Sequence, residues 1–169
     1  AKVPLAYRVV SLGVVFAAGA VIFGMIRSAQ TARLPIMPVW MLPFALLGTV
    51  VLVSLVHELG HLIAGSVVKF QVSHLSVGPF WFGRFPDGWR ARFISDLSWA
   101  AAFSAARPRT LDNIRHRVMT FLAGGPAASL TFGLLSLAAF LSTSGVTGDL
   151  FGLFAVVAFV DCLTELSLV

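Results

Sequence analysis

The sequence His57-Glu58-Leu59-Gly60-His61 is an H-E-x-x-H pattern set inside a long apolar stretch. Two histidines at i and i+4 stand on one face of a helix about a turn apart, so both imidazoles can ligate a single Zn²⁺. Glu58 then lies beside the metal rather than on it, where it can take a proton from a metal-activated water and hand it to a leaving amine. With 4 His and two Glu in the chain, random placement would give this pattern about once in a thousand such sequences. A charged residue inside an apolar helix costs roughly 2.5 to 3.5 kcal/mol, so a compensating metal or function is the expectation.

Such residues need elements to hold them, and the composition says which. The 169 residues are 58% hydrophobic and 11% charged, with a mean hydropathy of +0.93. A soluble globular chain carries about 25% charged residues, so that class is excluded. Uncharged runs long enough to cross about 30 Å of hydrocarbon recur, at about residues 7–26, 39–68, 111–141 and 150–169. We therefore expect an all-α polytopic membrane protein with four transmembrane helices, integral to the bilayer. Pro38 and Pro43 suit the opening turn of the second span. Thr110 is a possible cap for the third, Asp112 suits its positive end, and Asp149 marks the outer end of the fourth. The first span lacks an A-x-A cleavage site and reads as a retained helix. The chain begins at Ala1 and stops at Val169 without a polar flank, so trimmed ends are expected. Cys162 stands alone, which excludes an intrachain disulfide and a cysteine metal cluster.

Ten Lys and Arg (Lys2, Arg8, Lys69, Arg84, Arg90, Arg92, Arg107, Arg109, Arg115, Arg117) fall on the side of the N-terminus and the long loop, against Arg27 and Arg33 opposite. The positive-inside bias puts that side in the cytosol, as in a bacterial inner membrane. The net charge of +5 is accordingly assigned to headgroups and orientation, and no nucleic-acid partner is expected. From Phe70 to Ile94 apolar and polar residues alternate around Phe85-Pro86-Asp87-Gly88, which predicts a β-hairpin at the membrane surface. Its aromatic residues (Phe80, Trp81, Phe82, Phe85, Trp89, Phe93) suit the interface or a substrate. Asp96 to Ala106, with Trp99 and Phe103 four apart, reads as a short surface helix. His74 and His116 lie outside the spans and read as solvated or interfacial. His61 to Lys69 is about 12 Å of helix, so the metal would lie well inside the bilayer, with the loop framing a wet entrance. Gly125 and Ser129 form a small-x-x-x-small face expected to pack on Gly60, Ala64 and Gly65.

Over roughly residues 40 to 169 the sequence resembles the site-2 protease type of intramembrane zinc metalloprotease, the M50 peptidases. His57 to His61 in a transmembrane helix is one basis. The other is Ala123-Gly124-Gly125-Pro126-Ala127-Ala128-Ser129, similar to the family's G-P-x-x-N segment, with Ser129 where Asn is usual. The resemblance implies zinc on His57 and His61, Glu58 as general base and acid, and a substrate that is a transmembrane segment of another membrane protein. The family's third ligand is an aspartate in an Asp-Gly element after an Asn-x-x-Pro stretch, and this sequence contains no such stretch. Asp161 and Glu165 are the intramembrane carboxylates after the motif; either can complete a His₂-carboxylate site, and Asp161 is the candidate carried forward. A helical substrate must unwind, and its extended stretch can add to the hairpin edge. The alternative is a catalytically inactive scaffold or assembly factor of the same fold. A metal transporter would need more ionisable groups along its path than spans one and three carry.

Overall fold

The structure is a computed structural model that describes residues 37–85, 87–93, 102–143 and 145–166. A short 3₁₀ turn, Val39–Met41, leads into helix α1, Leu42–Val67. Four strands follow: β1 (Phe70–Val77), β2 (Phe80–Phe85), β3 (Gly88–Phe93) and β4 (Phe103–Pro108). Helices α2 (Ile114–Ser142) and α3 (Gly145–Leu166) complete the order. Three helical stretches, Val39–Val67, Ile114–Ser142 and Gly145–Glu165, are long and apolar enough to cross a membrane, and the protein is a membrane protein on that count. The expected span at 7–26 lies outside the described residues.

The expectation of an all-α chain with four spans and one hairpin is overturned. The strands form a four-stranded antiparallel sheet in the order β3-β2-β1-β4. The expected turn is present, with Phe85 paired to Gly88, and Gly88 takes the positive φ of 128° that favours glycine. A second tight turn at Gly78 (φ 54°) and Pro79 joins β1 to β2, so the alternation from Phe70 onward is folded twice. Phe103 to Ala106, read above as helical, is strand. A helix that short is marginal alone, whereas pairing with β1 satisfies a whole row of main-chain groups. The Ser73 and Ser76 hydroxyls add to that ladder, donating to the carbonyls of Ala105 (2.9 Å) and Phe103 (3.3 Å). The register slips between Val72 and His74 at a bulge.

Alternation gives the sheet two faces. One carries His74 stacked at 6.1 Å on Trp81 and at 5.4 Å on Phe103, so His74 is half-buried rather than solvated. On that face Arg92 lies over Trp81 and Phe85, and Arg90 over Phe85, as guanidinium on aromatic faces prefers. The other face presents Phe80, Phe82, Trp89 and Phe93, all exposed. Every residue of β3 is exposed.

Helix α2 begins after Asn113, whose φ of 48° is one asparagine tolerates and whose carbonyl accepts the first helical bond from Arg117 N–H. Thr110 does not cap it: its carbonyl and Oγ1 are both taken by Arg117 at 2.8 Å. Helix α3 starts at Gly145, ahead of Asp149, whose Oδ2 accepts from the Met37 N–H at 2.9 Å.

The chain forms two compact units, one of residues 54–128 and one of the remainder. The second is held by apolar packing among Val53, Ala155, Val156 and Ala158, all buried. There Gly133 makes room for the Phe159 ring, and Phe154 meets Phe132 at 6.0 Å and Phe151 at 6.2 Å.

Candidate metal centre

Within the unit 54–128, α1 and α2 meet along one stripe each. On α1 the stripe is His57, Gly60, His61, Ala64 and Gly65, repeating at three and four residues; on α2 it is Arg117, Phe121, Gly124, Gly125 and Ala128. Gly60 and Gly124 bring the backbones together: a Cβ on Gly60 would strike the Gly124 carbonyl and Ala128, and one on Gly124 would strike Gly60 and Ala64. The sequence placed Gly125 and Ser129 in that contact. The structure shifts the face by one residue, because Gly124 with Ala128 makes the crossing. Gly125 turns toward the histidines and Ser129 toward α3.

His57 and Glu58 are buried, at 5% and 6% exposure. The Nε2 atoms of His57 and His61 lie 3.1 Å apart, with ring centroids at 4.8 Å and an interplanar angle of 75°. That spacing suits an N–H···N hydrogen bond, and it also suits one shared zinc ion. Two Zn–N bonds of about 2.0–2.1 Å at a tetrahedral angle set their nitrogens about 3.3 Å apart.

The other nitrogen of His61 fixes its tautomer. Nδ1 is 2.8 Å from the Phe121 carbonyl, an oxygen that only accepts, so Nδ1 carries the proton and Nε2 keeps its lone pair. The Gly125 N–H approaches the same nitrogen at 3.3 Å, a longer contact that gives way to the carbonyl. A histidine held through Nδ1–H by a backbone carbonyl is the usual support of a metal ligand. The Phe121 ring also lies 5.2 Å from the His61 ring. A Cβ on Gly125 would collide with both Nε2 atoms, so glycine there keeps the space in front of the pair open.

Glu58 Oε2 is buried with no hydrogen-bond partner among the described residues. A buried carboxylate oxygen is costly when unpaired and calls for a cation or a water. Two imidazoles with converging Nε2 atoms supply two of the nitrogen ligands that a zinc ion takes, and Glu58 follows His57 directly in the sequence.

Asp161 lies in the other unit. Its Oδ2 accepts a 2.6 Å hydrogen bond from the fully buried Ser129 hydroxyl, and its carbonyl accepts from Thr164. Glu165 follows one turn on. Among the described residues no three His, Cys, Asp or Glu side chains gather into a group able to hold a metal.

Sequence reading missed Phe121 and Arg117 as supports of the site. Their spacing to Gly125, four residues at each step, was the available signal. No protein-family model matches the chain, and no curated protein or solved structure matches it.

Proposed function

We propose that this protein is an intramembrane zinc metalloprotease of the site-2 protease type, cleaving transmembrane segments of other membrane proteins. The observation that carries the reading is the convergence of the His57 and His61 Nε2 atoms at 3.1 Å, with Glu58, next to His57 in sequence, buried and its Oε2 without a partner among the described residues. His57 and His61 would hold the ion, and Asp161 is the sequence's candidate for a third ligand. When bound, zinc would supply a Lewis acid able to polarise the scissile carbonyl and bring a water's pKa toward neutrality. Glu58 accepts the proton of the attacking water as its oxygen adds to the carbonyl carbon. Glu58 then returns that proton to the amide nitrogen as the C–N bond breaks. The Phe121 carbonyl keeps His61 in the ligating tautomer throughout.

Strand addition of the substrate is supported by an open edge of the sheet. β3 is an edge strand exposed along its whole length, and an unwound segment added there would exchange its helical hydrogen bonds for ladder bonds. In this reading the sheet and its arginines face the cytosol, by the positive-inside bias.

Zinc content and cleavage test the proposal. We expect about one zinc per chain, lost in His57→Ala and His61→Ala. Glu58→Gln should keep the zinc but lower cleavage of a reconstituted membrane substrate by about 10²–10⁴. No zinc under metal-replete conditions overturns the reading, zinc without cleavage by the wild type leaves an inactive scaffold, and cleavage unchanged in Glu58→Gln removes Glu58 as its base. Loss of zinc in Asp161→Asn would assign Asp161 as a ligand, and wild-type zinc would remove it. Prolines placed along β3 should reduce cleavage; unchanged cleavage removes strand addition from the account.

A further inference from the structure

Arg117 makes more contacts than any role as a surface cation requires. Its Nε and Nη2 donate to the Val68 carbonyl at 2.9 and 2.7 Å, and Nη2 also reaches the Lys69 carbonyl at 3.5 Å. Nη1 donates to both oxygens of Thr110 at 2.8 Å. One guanidinium thus closes the C-terminal end of α1, where carbonyls lack helical donors, and ties it to the segment that enters α2. Its plane also lies 5.2 Å over the ring of Phe70, the buried first residue of β1.

The contacts continue inward. Phe70 meets Phe121 at 5.7 Å, Phe121 meets His61 at 5.2 Å, and the Phe121 carbonyl holds His61 Nδ1 at 2.8 Å. Gly65, between them on α1, leaves the space that the Phe121 ring occupies. Arg117 and Phe121 are four residues apart on α2, so the guanidinium sets the register of the helix face that carries the ring and the carbonyl.

We infer that Arg117 is a positioning residue for His61, acting through Phe70 and Phe121 to hold the imidazole with Nδ1 protonated and Nε2 toward His57. The inference concerns the imidazole itself, and its bearing on catalysis rests on the metal-centre reading above. Lysine does not replace arginine here, since a single ammonium lacks the planar fork that serves Val68 and Thr110 together.

The test reads His61 without metal and then with it, in the full chain in micelles. In metal-free protein, ¹⁵N NMR should show His61 as one tautomer, protonated at Nδ1, and Arg117→Ala should average the two nitrogens. Cobalt(II) titration should then show affinity falling about tenfold or more in Arg117→Ala, the range typical for loss of an outer support, with a changed ligand-field spectrum. Arg117→Lys should fall between, and Arg109→Ala should match wild type. Phe70→Leu, which keeps an apolar side chain but removes the aromatic step, should move the tautomer ratio in the same direction and serves if Arg117→Ala does not fold. An unchanged tautomer and cobalt spectrum in Arg117→Ala or Phe70→Leu overturns the inference. A wild type that shows the single tautomer but binds no cobalt overturns the metal reading and leaves the positioning role in place.

Discussion

At the residue scale, what distinguishes this site is the room left by side chains that are not there. Gly125 stands in a helix interior, where alanine would ordinarily be favoured by about 1 kcal/mol. Its absent Cβ is what keeps both Nε2 atoms in place. Gly125→Ala should therefore displace the imidazoles and lower zinc per chain sharply, while the melting midpoint of the metal-free protein falls less than in Gly60→Ala or Gly124→Ala, because its methyl meets side-chain tips rather than main chain; metal analysis and a melting curve check the pairing together. Ser129→Ala removes the 2.6 Å donor to Asp161. Because Asp161 has further interactions, the expected loss of stability is about 1 kcal/mol, measurable by unfolding in mixed micelles.

At the scale of elements, the reach of sequence reading can be judged from particular segments. The motif-bearing helix was legible because a long apolar run bounded by Pro43 and Lys69 allows no other conformer in lipid. The Asp87-Gly88 turn was legible because its chemistry is local. β4 was not, because Phe103 to Pro108 becomes a strand only through its pairing with β1, thirty-odd residues away. Spacing within the segment mimicked a helix. The crossing of α1 and α2 was legible in kind but not in register: small residues announced a close approach, yet choosing between Gly124 and Gly125 needs the rotation of α2. Gly60→Ala and Gly124→Ala should each destabilise the protein by about 1–3 kcal/mol despite better helix propensity, since each new methyl meets main chain. A rise in unfolding midpoint for either would contradict the described crossing.

At the scale of the whole molecule, three helices are long and apolar enough to cross a membrane, and six of the chain's 12 Lys and Arg fall in the segment between the first and the second of them. Substituted cysteines in a Cys162→Ser background give a direct reading of its side. Arg109→Cys should react with an impermeant reagent from the cytosolic face only, and Thr143→Cys from the opposite face only; labelling of both from one side would refute the transmembrane course of α2. Between residues 69 and 117 the sequence carries eight Lys and Arg against three Asp, a net charge of five. Transferring one charge through 100 mV takes about 2.3 kcal/mol, so with the segment in its proposed cytosolic place, driving it outward against a cytosol-negative potential would demand about 12 kcal/mol of electrical work before any desolvation. In the proposed orientation an energised membrane would act as a ratchet on the sheet, opposing inversion after insertion.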